Sequence, residues 1–293
     1  MNTIAKPPVS GVVLGIDVGF SAKSATTGLC LLSWDTNSMK ISFVRTRTGS
    51  VDRRRDIRAL VGSAQLLAVA IDGPLVRGLQ RISHYRAAEA LLSRSVLQKR
   101  GKPGQTNSPV GQQLHAHATE LAEIVLTECA VDAAAHYQAI HERCIVEAFP
   151  NMFLAAGVPE AELPSLRRNA SDAYWRGLVV QSGRLLQLMG SLLPGRKPSC
   201  ELCTFINHED RAAFVCALSA LSVLSQRHVA VGDPYDGDII LPPRIWWGKA
   251  SIGTNPWMEV VLRDNLASVR RSRNGSKHHG DARVVLHAGE WQL

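Results

Sequence analysis

Gly11-Val-Val-Leu-Gly-Ile-Asp17 is the stretch on which the reading of this chain turns: a short apolar run that ends in an acid. Apolar residues at consecutive positions indicate a strand covered on both faces, as in the interior of an α/β sheet. The pattern returns twice. Leu66-Leu-Ala-Val-Ala-Ile71 runs into Asp72-Gly73-Pro74, and Cys144-Ile-Val146 runs into Glu147, closed by Phe149-Pro150. Three strands are thus expected to end in a carboxylate. An acid at such a place is costly unless it is paired or holds a cation. In open α/β sheets, strand ends are where sites assemble.

Between these landmarks, Thr27–Trp34 and Lys40–Arg45 read as a second and third strand joined by short turns, an antiparallel meander. Asp52–Val61 has helical spacing, with Ile57, Leu60 and Val61 inward and the run Arg53-Arg54-Arg55 facing water. From about Arg77 to Glu128 the chain reads as helix in two pieces. An exposed loop rich in Gly, Pro, Asn and Ser divides them at Arg100–Val110. Helices are expected near Asp172–Leu193 and Glu209–Leu224, and a last strand at Gly237–Pro243. This order predicts a mixed α/β fold with a partly parallel sheet flanked by helices. Residues 1–245 would form that domain, and residues 246–293 a basic C-terminal extension. There Arg270, Arg271, Arg273, Lys277 and Arg283 surround Asn274-Gly275-Ser276 and His278-His279. That stretch reads as a solvated basic loop or, more sharply, a phosphate-contacting arm.

Composition bounds the function. With 45% hydrophobic and 20% charged residues among 293, a mainly disordered chain is excluded. No stretch approaches the roughly 20 apolar residues of a membrane span, and MNTIAKPPVS holds no apolar run of signal-peptide length. No membrane association and a cytoplasmic location are the expectations, with the six cysteines reduced. Lys plus Arg is 33 against 25 for Asp plus Glu, a net charge of +8 that suits a polyanionic partner such as nucleic acid.

A fourth acidic position opens the helix His208-Glu209-Asp210-Arg211-Ala212-Ala213-Phe214-Val215-Cys216-Ala217-Leu218, whose remaining residues are small or apolar, as in a helix pressed on a sheet. Glu209 and Asp210 would there complement the helix dipole, or join the strand-end acids. Hard cations such as Mg²⁺ or Mn²⁺ take oxygen ligands and keep several waters, so a few converging carboxylates suffice. Such ions serve phosphodiester cleavage. The candidate catalytic and metal-holding residues are Asp17, Asp72, Glu147, Glu209 and Asp210. Arg77, Arg81 and Arg86 follow the Asp72 strand and are candidates to contact a substrate phosphate.

Gly15-Ile16-Asp17, Ala70-Ile71-Asp72-Gly73-Pro74, Val146-Glu147-Ala148-Phe149-Pro150 and the Glu209–Leu218 helix resemble, in that order, the landmarks of a predicted ribonuclease-H-like nuclease family, domain-of-unknown-function family 429. The resemblance spans roughly Gly11 to Pro243. It implies an α/β, ribonuclease-H-like fold: a central mixed five-stranded sheet flanked by helices, with a helical insertion and a C-terminal extension. It also implies Asp17 on the first strand and Asp72 on the fourth, and it matches Glu147 to the acid of a V-E-x-x-P segment. The final helix of such proteins often reads D-x-x-D-A-L, for which this chain has Glu209 and Ala212. The second acid is missing. Either Glu209 or Asp210 supplies that carboxylate, or the site is one ligand short, as in a catalytically inactive nucleic-acid-binding or scaffold protein.

Gly15-Ile-Asp-Val-Gly19, followed by Ser21, Ser24, Thr26 and Thr27, also resembles the first phosphate loop of the actin and sugar-kinase superfamily. Small and hydroxylated residues there let backbone N–H groups approach a phosphate. That resemblance implies a nucleotide-dependent phosphotransferase, although no second loop of the kind follows in the C-terminal half. Cys200-x-x-Cys203 with His208 lacks the second ligand pair of a structural zinc site. His115 and His117 fall on a helix and are expected to face solvent.

Overall fold

The computed structural model describes residues 7–98, 104–134, 142–164, 170–271 and 280–286. Its nucleus is the expected meander. Strand β1 (Gly11–Asp17) pairs antiparallel with β2 (Thr27–Trp34), and β2 with β3 (Ser38–Thr46). After helix α1 (Ser50–Val61), β4 (Ala68–Asp72) returns parallel to β1 with Ile16 opposite Ile71. Helices α2 (Ala87–Leu92) and α3 (Pro109–Glu128) then lead to β5 (Ile145–Ala148), parallel to β4.

The sheet is wider than the sequence suggested. A helical stretch made of α4 (Pro150–Gly157), α5 (Ala170–Trp175) and α6 (Arg184–Leu192) precedes β6 (Lys197–Pro198) and helix α7 (His208–Leu224). Strands β7 (Val229–Asp233), β8 (Gly237–Leu241) and β9 (Arg283–Leu286) follow, with α8 (Trp257–Arg270) before the last. The nine strands lie in the order β6-β3-β2-β1-β4-β5-β8-β7-β9. The expected five-stranded sheet is therefore corrected to nine. Two-residue β6 is too short to leave a pattern. Five-residue β7 has little length to distinguish it beside the helix before it. β9 is hidden in a basic composition.

That last point also corrects the reading of the extension. Beyond Trp246 the chain buries Trp257, Met258, Leu262, Leu266 and Val269 on one face of α8, then adds β9 antiparallel to β7. Arg283 is tied to Asp238 by a 2.7 Å ion pair, and Arg270 donates to the carbonyl of Ala282. Arg273, Lys277, Asn274-Gly275-Ser276 and His278-His279 lie outside the described residues.

Two helical residues expected in water are buried. Arg53 has no exposed side-chain surface, because it lies one turn before Ile57 on the inward stripe of α1. Its guanidinium reaches Glu120 at 2.6 Å and the carbonyl of Gly19 at 3.0 Å. Charge-assisted bonds of this kind offset much of the desolvation. Buried His115 bonds through Nε2 to the carbonyl of Val76 at 2.9 Å.

The sheet divides two apolar cores. Leu14, Ile16, Val69, Ile71 and Ile145 pack with α1 and α3, whereas Val13, Ala68, Ala70, Val146 and Ala148 pack on the α7 side. Helix α7 is buried from Ala212 to Val223, on every side, as a central helix between the sheet and an outer helical layer must be. It lies against the strands where they lack side chains. A Cβ on Gly15 would sit 2.1 Å from the Ala213 carbonyl oxygen, and one on Gly28 would sit 2.4 Å from that of Glu209. Two consequences are measurable by urea unfolding. Gly15→Ala should lose about 1–3 kcal/mol or more, the usual range for overpacking. Gly190→Ala, where nothing lies within 4 Å, should gain up to about 1 kcal/mol from helix propensity.

Candidate functional site

The close contact of α7 with β1 fixes which carboxylates meet. Gly15 faces α7, so Asp17, two residues on, faces it as well. One step beyond the Ile16–Ile71 pair, Asp72 stands beside Asp17 on the same face of the neighbouring parallel strand. Both are half-buried and both line a cleft of about 40 Å³, enclosed from above by Asn151 of α4, Asp172 and Trp175 of α5, and His208, Arg211 and Ala212 of α7. A space of that size has room for an ion or a few waters.

Neither Asp17 nor Asp72 has a side-chain hydrogen bond or an ion pair among the described residues. Burial pushes the carboxyl of Asp17 well above the ordinary range, and the charges of Asp72 and Glu209 push it further. Burial first, and then the charge of Glu147, raises Asp72 to about 7. The other buried acids each have a partner: Asp233 accepts from the backbone N–H groups of Tyr235 and Asp236, Asp236 lies 3.4 Å from His84, and four more are held by arginine. Glu147 and Glu89 share Arg86, Asp238 has Arg283, and Glu259 has Arg244.

Glu147 is not part of this cleft. It pairs in register with Ile71 rather than Asp72, so it points to the opposite face of the sheet. There both of its carboxylate oxygens accept from Arg86, at 2.7 and 2.9 Å. The same guanidinium donates to Glu89 at 2.9 Å, to Thr106 and to the carbonyl of Asp236. This corrects two expectations at once. Arg86 is buried with its donors engaged by protein groups, Glu147 and Glu89 neutralise it, and Arg86 and Glu147 line a second cavity that Asp72 also borders.

The remaining candidates divide. Glu209, in the first turn of α7, is close enough for its charge to raise Asp17. Asp210 turns towards β3, 3.5 Å from Arg45, and is not among the residues lining the cleft. Ala212 does line it, so the helix position that resembles a second acid faces the aspartates with a methyl group. Arg77 is on the surface, paired with Glu123 at 2.7 Å. Arg81 closes a short 3-10 turn, and its side chain lies outside the described residues. Cys200 and Cys203 are free thiols beside an apolar groove at the β6 edge, while His208 lies in the acid cleft.

Sequence reasoning passed over Asn151, Arg211 and Trp175. The signal for Arg211 was available: it precedes Ala212 in the helix turn that already held the acids.

Among the described residues no group of three or more His, Cys, Asp and Glu side chains is arranged to hold a metal ion. Asp17 and Asp72 thus offer two ligands. That set fits Mg²⁺ or Mn²⁺, since Mg²⁺ keeps several waters and is bound through one or two carboxylates together with substrate phosphate. It does not fit a closed all-protein cage. The chain has no significant match to a protein-family model, a curated protein or a solved structure.

Two measurements follow from these environments. The unfolded chain releases the Asp72 proton near pH 4 and the folded chain near about 7, so between those values the folded state holds the extra proton. Stability in chelator should therefore fall as pH rises from 4 to 7, and Asp72→Asn should flatten that slope. A slope equal in the variant would show that Asp72 is not the group titrating. On the other face, Arg86→Ala should cost about 3–5 kcal/mol, because it leaves Glu147 and Glu89 buried without their cation, and Glu147→Ala, which leaves Arg86 with Glu89, should cost less. The double variant should cost less than their sum.

Proposed function

We propose that this protein is a metal-dependent phosphodiester hydrolase, a nuclease on a ribonuclease-H-like core, with Asp17 and Asp72 as its cation-holding residues. One observation carries the reading: a pair of adjacent, half-buried carboxylates without a hydrogen-bonding or basic partner among the described residues, in a chain whose other buried acids are held by arginine, by His84 or by backbone N–H groups. Like charges so placed are stable together only when protons or a cation neutralise them. The meander β1–β3 followed by parallel β4 and β5 is consistent with the core, and it puts Asp17 on the first strand and Asp72 on the fourth.

When bound, a divalent cation supplies positive charge to the phosphoryl oxygens as charge develops on them. Within the protein, the two aspartates line one cleft, and α7 and α5 cover it. Glu209 holds negative charge at the edge of the site and strengthens the demand for a cation. Glu147 acts at a distance, by keeping Arg86 neutralised behind β4. Nucleic acid is the substrate class that the net charge of +8 favours.

A second reading has one specific observation in its favour. Ala212 faces the cleft where a further ligand would stand, as in an inactive nucleic-acid-binding or scaffold protein. The phosphotransferase reading is weaker. The loop amides of Gly19, Ser21, Lys23 and Ser24 donate to the hydroxyls of Thr27, Thr26 and Ser21 and are not free to cradle a phosphate.

The test is a cleavage panel of single-stranded, duplex and hybrid nucleic acids with Mg²⁺, Mn²⁺ or chelator. Cleavage should require the metal, and Asp17→Asn and Asp72→Asn should each lower it at least about 100-fold with the fold retained. Glu147→Gln should lower stability more than turnover per folded molecule. Metal-dependent cleavage that survives Asp17→Asn would refute the assignment. A wild type that cleaves nothing and binds no Mn²⁺ would favour the inactive reading.

A further inference from the structure

The cleft that holds the aspartates is also lined by a guanidinium, that of Arg211. His208 and Arg211 line it from the first turn of α7, and Ala212 lines it beside them. Arg211 is held from three sides. Its Nη1 donates to Asp172 at 2.9 Å, its Nε donates to the carbonyl of Phe205, and its guanidinium carbon lies 5.6 Å from the Trp175 ring centroid. Its Nη2 carries no hydrogen bond among the described residues. Side-chain exposure of 21% leaves it reachable from the cleft. Arg211 makes no hydrogen bond or ion pair with Asp17 or Asp72 among the described residues.

A guanidinium fixed in place, with Nη2 left to donate, suits a phosphate oxygen and loses little freedom on binding. We propose that Arg211 is the phosphate-contacting residue of this site, binding a non-bridging oxygen of a phosphate group seated between α7 and the Asp17–Asp72 pair. Arg211 and the cation would hold that phosphate from two sides. Asp172 is a carboxylate in the same cleft, and its charge is engaged by Arg211 itself. Ala212 then has a positive role. An acid there would stand beside the guanidinium, compete for it and repel the anion.

The identity of the phosphate as part of a nucleic acid rests on the nuclease reading; its binding by Arg211 does not. The structural alternative is that Arg211 only ties α7 to α5. Isothermal titration of the full chain with inorganic phosphate, and separately with thymidine 5′-monophosphate, with and without Mn²⁺, separates the two. Wild type should bind phosphate saturably, more tightly with Mn²⁺. Arg211→Ala should weaken binding at least about tenfold, the equivalent of one lost charge-assisted bond. Arg211→Lys should weaken it less, since it keeps the charge and loses the guanidinium. The exposed Arg271→Ala serves as the charge-matched control and should bind as wild type does. Tighter binding of the nucleotide identifies a nucleotide as the source of the phosphate, and equal binding a bare phosphate group.

No saturable binding of either probe under both conditions overturns the proposal. So does an Arg211→Ala variant that binds phosphate like wild type and differs only in melting temperature. If Arg211→Ala does not fold, Arg211→Lys decides, and unchanged affinity there overturns it. Phosphate held through Arg211 by a protein that cleaves nothing would end the nuclease reading and leave this inference standing.

Discussion

A helix lies on a sheet at side-chain distance unless both surfaces are bare at the crossing. Here they are: Gly15 and Gly28 on adjacent strands meet the backbone of α7 at Ala213 and Glu209, closer than any Cβ would allow. The rest of the molecule is organised by that contact. It buries α7 on all sides, which in turn calls for the outer layer of α4, α5 and α6. It brings the first turn of α7 over the ends of β1 and β4, so that the helix closes the cleft holding Asp17 and Asp72. A bulkier crossing would lift the helix and open the carboxylates to water, and their raised proton affinity depends on water being kept away.

The protein contains two classes of buried acid, separated by one strand position. Asp72 and Glu147 lie on neighbouring strands, one residue out of step, and the pleat sends them to opposite faces. One meets the cleft, and the other meets an arginine. From the sequence the two were indistinguishable, since each follows an apolar run and precedes a turn with proline. What separates them is register, which is set by partner strands and is not written within either segment. The same reasoning explains Arg86. A lone arginine in a polar stretch reads as exposed, and its burial depends on two carboxylates, one of them 61 residues further along the chain.

Where the signal was local, it was legible. The meander, the existence of β4 and β5 and the length of α7 follow from apolar runs and their ends, whereas the adjacency of Asp17 and Asp72 comes from the pairing of β1 with β4. Arg53 was misread because three arginines in succession look like a solvated face, while helical geometry places only the first on the stripe of Ile57 and Val61. The outer strands were illegible for a different reason. They are recruited by an existing edge and need little pattern of their own.

That recruitment has a bearing on how the chain is made. All five residues of β7 are buried, and on one side their hydrogen-bonding groups are paired by β9, about fifty residues later in the chain. During synthesis β7 therefore waits, apolar and unpaired along one edge, until Arg283–Leu286 has left the ribosome. An unpaired apolar edge is a template for other strands. Nascent chains and proteolytic fragments that stop short of β9 are the species with which a chaperone would have to contend, and the basic stretch that precedes β9 would help to keep them apart by charge.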